Sequence, residues 1–264
     1  MTGISSIIKK AISFDDVRKV EDFSGHYKEL YKIAIFKPSL DLMLTKAEQG
    51  MVKFTLQPQD NLNRLHGCCI TEEYRLFNKI RNSFVRNFKH TINIKTLSAE
   101  VMMHEMAHAV EKESRVQLDR EFSKIFRADL INAENSHIHI QTAVRQVILK
   151  EIELYPKQQH DSEYFARFYQ LLAMSKEISS YHDDFHFKLP EMMNVFRNTI
   201  TWIDQVFNHK LKHQIATHIE KLTANIKFDD ELNNFARKNK SIHGKDVKWK
   251  RTVGSLFGDK YKNE

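Results

Sequence analysis

Apolar residues recur at three- and four-residue intervals through most of this chain, and alternate with polar ones in a few short stretches. The first period is that of a helix with one buried face and the second that of a half-buried strand. Residues 1–33 read as helical, with Asp15 and Asp16 placed for a helix start and Val17, Val20 and Phe23 three apart. Residues 31–36 read as a short strand ending before Pro38, and 51–56 alternate as a second strand. Residues 57–61 form a loop. Leu76, Ile80, Phe84 and Phe88, four apart, predict a helix over 72–88, and 91–95 alternate as a further strand.

From here the helical period dominates. A helix follows that Thr96 or Ser98 can cap, with Glu100 in its first turn and an end near Arg115. Residues 117–130 carry Leu118, Phe122 and Phe126 on one face, with a break expected at 132–135. Residues 137–155 are apolar at Ile138, Ile140, Val144, Val147, Ile148 and Ile152, and Pro156 stops them. Asp161 or Ser162 can cap the next helix, whose face is Phe165, Phe168 and Leu172. After a His- and Asp-rich loop at 181–190, residues 191–226 are helical, as one long helix or as two broken near Asn208. The period is lost over 238–264. No internal repeat is present.

Composition supports this picture. Only 7 Gly and 4 Pro interrupt 264 residues, and 41% hydrophobic content suffices for one sizeable core or two small ones. The expected fold is mainly α, with a small β-sheet before the helix at 98–115 and a helical C-terminal part. No apolar run approaches the roughly 20 residues of a membrane span. Lys9 and Lys10 are not followed by an apolar signal core, so the expected location is the cytoplasm of the cell that makes the protein, or export without a cleaved signal. Cys68 and Cys69 are adjacent and read as reduced packing thiols.

The net charge of +7 is unevenly spread. Residues 237–264 hold nine Lys or Arg against three acids, which leaves the rest near neutral. With Trp249, Phe257 and Tyr261 among its basic residues, this tail suits an anionic membrane, nucleic acid or an acidic protein surface, or stands as a solvated extension.

The chemistry concentrates at His104-Glu105-Met106-Ala107-His108, an H-E-x-x-H motif on the helix at 98–115. Residues four apart share a helix face, so His104 and His108 can hold one metal ion, with Glu105 directed at a water on it. A hydrolytic zinc site needs a third protein ligand. The extension H-E-x-x-H-x-x-G-x-x-H is absent, because Glu111 stands at the Gly position and Ser114 at the last. A Glu on a later helix is the other solution. Glu163, in Glu163-Tyr164-Phe165-Ala166, lies 55 residues after His108; its plain reading is a first-turn carboxylate that complements the helix dipole, and Asp161 is the fallback ligand.

At this point the two segments resemble the motifs of the anthrax lethal factor-like metallopeptidases. His104 to Glu111 is similar to H-E-x-G-H-A-V-D, and Glu163 to Ala166 is similar to the start of E-F-F-A-E. Ala107 replaces Gly, Glu111 replaces Asp, and Arg167 replaces the second Glu. The resemblance covers roughly residues 98–173. It implies a zincin-like core, one Zn2+ per chain held by His104, His108 and Glu163, and Glu105 as the base. It also implies a Tyr before the third ligand that assists the reaction. Tyr155 corresponds loosely, with His160, His182 and His186 as rivals from nearby loops.

The parts expected are an N-terminal α/β portion at 1–97, a zinc-binding helical core at 98–190, a helical portion at 191–237 and a basic tail at 238–264. The function implied is a zinc-dependent endopeptidase acting on a protein substrate, in the manner of a secreted effector or toxin that cuts a host cytoskeletal or signalling protein. Two alternatives stand beside it. One is an intracellular regulatory metalloprotease that cuts a repressor. The other is a helical binding protein that uses its basic tail, with an incidental motif.

Overall fold

The computed structural model of the protein describes residues 2–216 apart from 15, 57–65, 79–82, 117, 119–120, 177 and 179–186. These belong to a compact unit, Met1–Ile215, and the second unit, Ala216–Glu264, lies outside the described residues beyond its first position. The unit is mainly helical with a small mixed sheet. Among the described residues no helix is long and apolar enough to cross a membrane.

The sheet has the order β1-β2-β4-β3, from β1 (Ile12–Ser13), β2 (Val52–Leu56), β3 (Gly67–Asn78) and β4 (Ser83–Ile94). The pairs β1–β2 and β2–β4 are parallel, and β3 runs antiparallel to β4 along its edge. Helices α1 (Thr2–Ala11), α2 (Val17–Tyr31) and α3 (Lys37–Glu48) surround the N-terminal side. Asp16 caps α2 by accepting from the Arg18 N–H at 2.9 Å, as its position near the helix start suggests. Phe23 of α2 packs on Phe54 of β2, ring centroids 4.8 Å apart.

Two expected elements are corrected. Residues 31–36 form no strand: α2 continues to Tyr31, and the chain then turns through Ile33 and Phe36 straight into α3. Pro38 sits in the first turn of α3, where its missing N–H costs nothing, so it starts a helix and does not close a strand. The helix expected over 72–88 is replaced by β3 and β4. The reason lies in the period itself. A spacing of four is also an even number, so residues four apart share a face of a strand as well as of a helix. Strands at 52–56 and 91–94 fall where alternation placed them.

Behind the sheet lies α4 (Ala99–Ser114), capped by Ser98, whose side chain accepts from the Val101 N–H. Nearly every residue of α4 is buried, because β3, β4 and the later helix α8 (His160–Ala173) enclose it. Its last turn is fastened by Glu113, which lies 2.7 Å from Lys46 Nζ of α3 and 3.1 Å from His90 Nε2 of β4. Burial pushes the Glu113 carboxyl up, but His90 and Lys46 outweigh it and hold the group below its ordinary value near 4.5. Replacing Glu113 with Gln strands Lys46 and is expected to cost roughly 3 kcal/mol in urea unfolding at pH 7. A depressed folded-state pKa stabilises above the unfolded value and is lost as pH falls through the folded one. The difference between Glu113→Gln and wild type should therefore shrink below about pH 4.5.

The remaining helices are α5 (Phe122–Glu134), α6 (Ile138–Val144) and α7 (Lys150–Ile152), the last two joined by a π-helical turn, Arg145–Leu149. After α8 come α9 (Leu189–Val195) and α10 (Arg197–Trp202), then a second π turn, Ile203–Asn208, leading into helix up to 216. The segment expected at 117–130 thus begins later and runs through 132, with its break after Glu134. The helical interruption in the C-terminal part falls at Phe196 and not near Asn208. There the Asp129 carboxylate accepts from the Thr199 N–H at 2.7 Å and its hydroxyl at 2.8 Å, holding the start of α10 against α5. Phe122, Phe126, Phe165, Phe168, Phe196 and Phe207 are all fully buried and form an aromatic core under α8.

Candidate metal centre

The packing of α4 against α8 brings His104, His108 and Glu163 together. One ligand atom from each lies within 4.8 Å of the others. His104 Nε2 is 3.6 Å from Glu163 Oε2, and His108 Nε2 is 3.4 Å from Glu163 Oε1. A charge-assisted N–H···O bond closes to about 2.7–2.9 Å. Two ligands at about 2.0–2.2 Å from one tetrahedral ion stand about 3.3–3.5 Å apart. The observed separations are too long for the first case; they end on different oxygens of Glu163, and one ligand atom from each residue stands near enough to the others to close on a single ion. Glu163 is 7% exposed, and its buried Oε2 has no hydrogen-bond partner among the described residues. A carboxylate oxygen so enclosed is costly unless a cation meets it. Two imidazoles and a carboxylate are a donor set suited to zinc.

Asp161 does not join them. Its side chain also lines the cleft, but its carboxylate accepts from the Ser123 hydroxyl of α5. Nor do Asp161 and Ser162 cap that helix. It begins at His160, with Gln159 at the cap position and no side-chain cap bond. Both side chains are used for tertiary contacts, which is why the capping expectation fails. His160 also turns away: its Nε2 lies 2.9 Å from the Tyr155 carbonyl oxygen. His182, His186 and the basic tail lie outside the described residues.

The cleft over this group has a volume of about 590 Å³, within the usual range for a binding site. Glu105 projects into it beside His104 and is 6% exposed. Burial, with Glu163 adding to it against the opposing pull of His108 and Arg167, pushes the Glu105 carboxyl up to about 7. Burial, then the charges of His108 and Arg167, lower the His104 pKa, with Gln170 pulling the other way. His104 is thus held as the neutral imidazole that a metal requires. At His108 burial acts downward, but the carboxylates of Glu163, Glu105 and Glu111 prevail and raise it.

Tyr155 lines the same cleft, half-buried. Burial and Glu163 raise its phenol, and Arg167 opposes them. Arg167 Nη2 lies 3.4 Å from the Tyr155 hydroxyl and 3.5 Å from Glu151, while Nη1 donates to Gln170 at 3.0 Å. The residue that departs from the lethal factor-like motif therefore stands one helical turn beyond Glu163, beside the phenol.

Several residues here were not singled out by sequence reasoning. Gly67, at the start of β3, faces Glu105 so closely that a Cβ would lie 2.8 Å from Glu105 Cγ and Oε1. Only glycine leaves Glu105 its place. Ser162 and Glu111 flank His108, with Ser162 Oγ 3.2 Å from His108 Nδ1 and donating to the Glu111 carboxylate. Cys68 and Cys69, read as packing, are free thiols on the cleft's edge, and burial above all pushes the Cys69 thiol up to about 12. No sequence signal marks Gly67. The helical offset of Glu111 from His108, three residues, was the available hint for the other pair.

No family model, no curated protein and no solved structure matches the chain.

Proposed function

We propose that this protein is a zinc-dependent endopeptidase of the gluzincin type, with a zincin-like core similar to that of the lethal factor-like enzymes. The observation that carries the reading is the buried His104, His108 and Glu163 group. Its ligand atoms lie close enough to share an ion, and a bound cation would meet its unpartnered carboxylate oxygen. When bound, zinc supplies a Lewis acid and brings the pKa of a water down to about 7.

The chain's own residues supply the rest. Glu105, buried beside the cluster, accepts the proton of the attacking water and passes it to the leaving amine. Gly67 leaves room for it to do so. The Tyr155 hydroxyl, drawn toward Arg167, is the donor for the oxygen of the carbonyl under attack. The edge strand β3 favours a peptide as the substrate. Gly67, Cys68, Cys69 and Thr71 of β3 line the cleft, and among the described residues its outer edge is unpaired within the sheet. An extended peptide can add to such an edge through main-chain hydrogen bonds. This favours an internal stretch of chain over a free terminus. The resemblance extends the proposal to a protein substrate in a host cell, as an effector or toxin would cut.

The test is metal analysis of the purified full chain. About one zinc per chain is expected. A folded chain that takes up no zinc would overturn the enzyme reading.

A further inference from the structure

The contacts around His108 determine which of its ring nitrogens carries the proton. Glu111 lies three residues beyond His108 on α4. Ser162 Oγ donates its one proton to Glu111 Oε2. The same Oγ lies 3.2 Å from His108 Nδ1. With its proton committed to Glu111, Ser162 has only lone pairs left for His108. The proton of that second bond must therefore come from His108 Nδ1. The other ring nitrogen, Nε2, is the one that faces Glu163. Lys112 Nζ stands 4.0 Å from the second oxygen of Glu111.

We infer that Glu111 and Ser162 are positioning residues that act as a relay, fixing His108 as the Nδ1–H tautomer with the Nε2 lone pair turned to the metal centre. The inference rests on the zinc-site reading and adds to it. The relay does for His108 what a carboxylate bound directly to a ligand histidine does elsewhere: it fixes the ring's orientation and makes the ligating nitrogen more basic. Here the serine carries that effect across the gap between α4 and α8. Because Ser162 precedes Glu163, one turn of α8 supplies both a ligand and the support for another. The two helices cannot shift against each other without disturbing both.

Two measurements test this. The first is the zinc affinity of the full chain, by competition against a colorimetric chelator. Ser162→Ala should bind zinc about 10–100-fold more weakly than wild type, and Ser162→Thr, which keeps the hydroxyl, should restore most of the loss. Glu111→Ala should weaken binding too, and Ser162→Ala with Glu111→Ala should be no weaker than Ser162→Ala alone. An unchanged affinity in Ser162→Ala, or losses that add in the double variant, would overturn the relay. The second is long-range proton–nitrogen NMR of the metal-free chain, with His108 assigned by its absence in His108→Asn. The neutral ring should show Nδ1–H in wild type and a mixture of tautomers in Ser162→Ala. An Nε2–H ring in wild type overturns the inference. If wild type takes up no zinc, the metal-site reading fails separately, and the NMR result alone decides whether the relay sets the tautomer.

Discussion

Glu105→Gln should lose about 10³–10⁴-fold in peptide hydrolysis while keeping its fold and about one zinc per chain. The amide matches the carboxylate in size, so it fits beside Gly67 as glutamate does, yet it takes up no proton. The other carboxylates lining the cleft among the described residues are engaged elsewhere. Glu163 faces the two histidines, Asp161 accepts from Ser123, and Glu111 accepts from Ser162. The substrate enters the test as a mixture. A cell lysate treated with wild type and one treated with Glu105→Gln are compared for new peptide N-termini. A set of termini present only with wild type is expected, and the residues on either side of the cut then define the specificity. Identical sets from the two proteins would remove Glu105 from the chemistry. Zinc content is read on the same samples, so a loss of metal is distinguished from a loss of the base.

The parts of this molecule that were legible in the sequence are those governed by local rules. Ser98 before Glu100 and an apolar run marks the start of α4, and the spacing of His104 and His108 puts both on one face of it. Glu163 could be paired with them only through its order and distance in the chain, since nothing local says which surface α8 offers. The hairpin of β3 and β4 was illegible for a definite reason: apolar residues four apart satisfy both periods, and tertiary pairing chose the strand. The relay through Ser162 was illegible because it joins residues 51 apart, and a helix-start serine already has an ordinary explanation as a cap. Gly67 shows the same limit, since its need for a missing Cβ comes from Glu105 on another element.

The second large effect concerns the third ligand. Glu163→Ala should weaken zinc binding by more than about 100-fold, beyond the loss expected for a supporting residue. Asp161→Ala should keep its zinc and lose only the Ser123 hydrogen bond, about 1 kcal/mol of stability. Thermal unfolding separates the two further. Without metal, Glu163 holds a buried oxygen with no partner, so wild type carries a cost there that alanine removes. In metal-free Glu163→Ala that gain is set against the lost pairing with His108, so the response to zinc is the quantity read. Zinc at about 100 times its dissociation constant should then stabilise wild type by about 2.7 kcal/mol. It should do the same for Asp161→Ala, and leave Glu163→Ala unmoved. The reverse pattern, with Asp161→Ala insensitive to zinc, would transfer the ligand role to Asp161. The comparison thus decides which of the two acidic side chains in the first turn of α8 serves the metal.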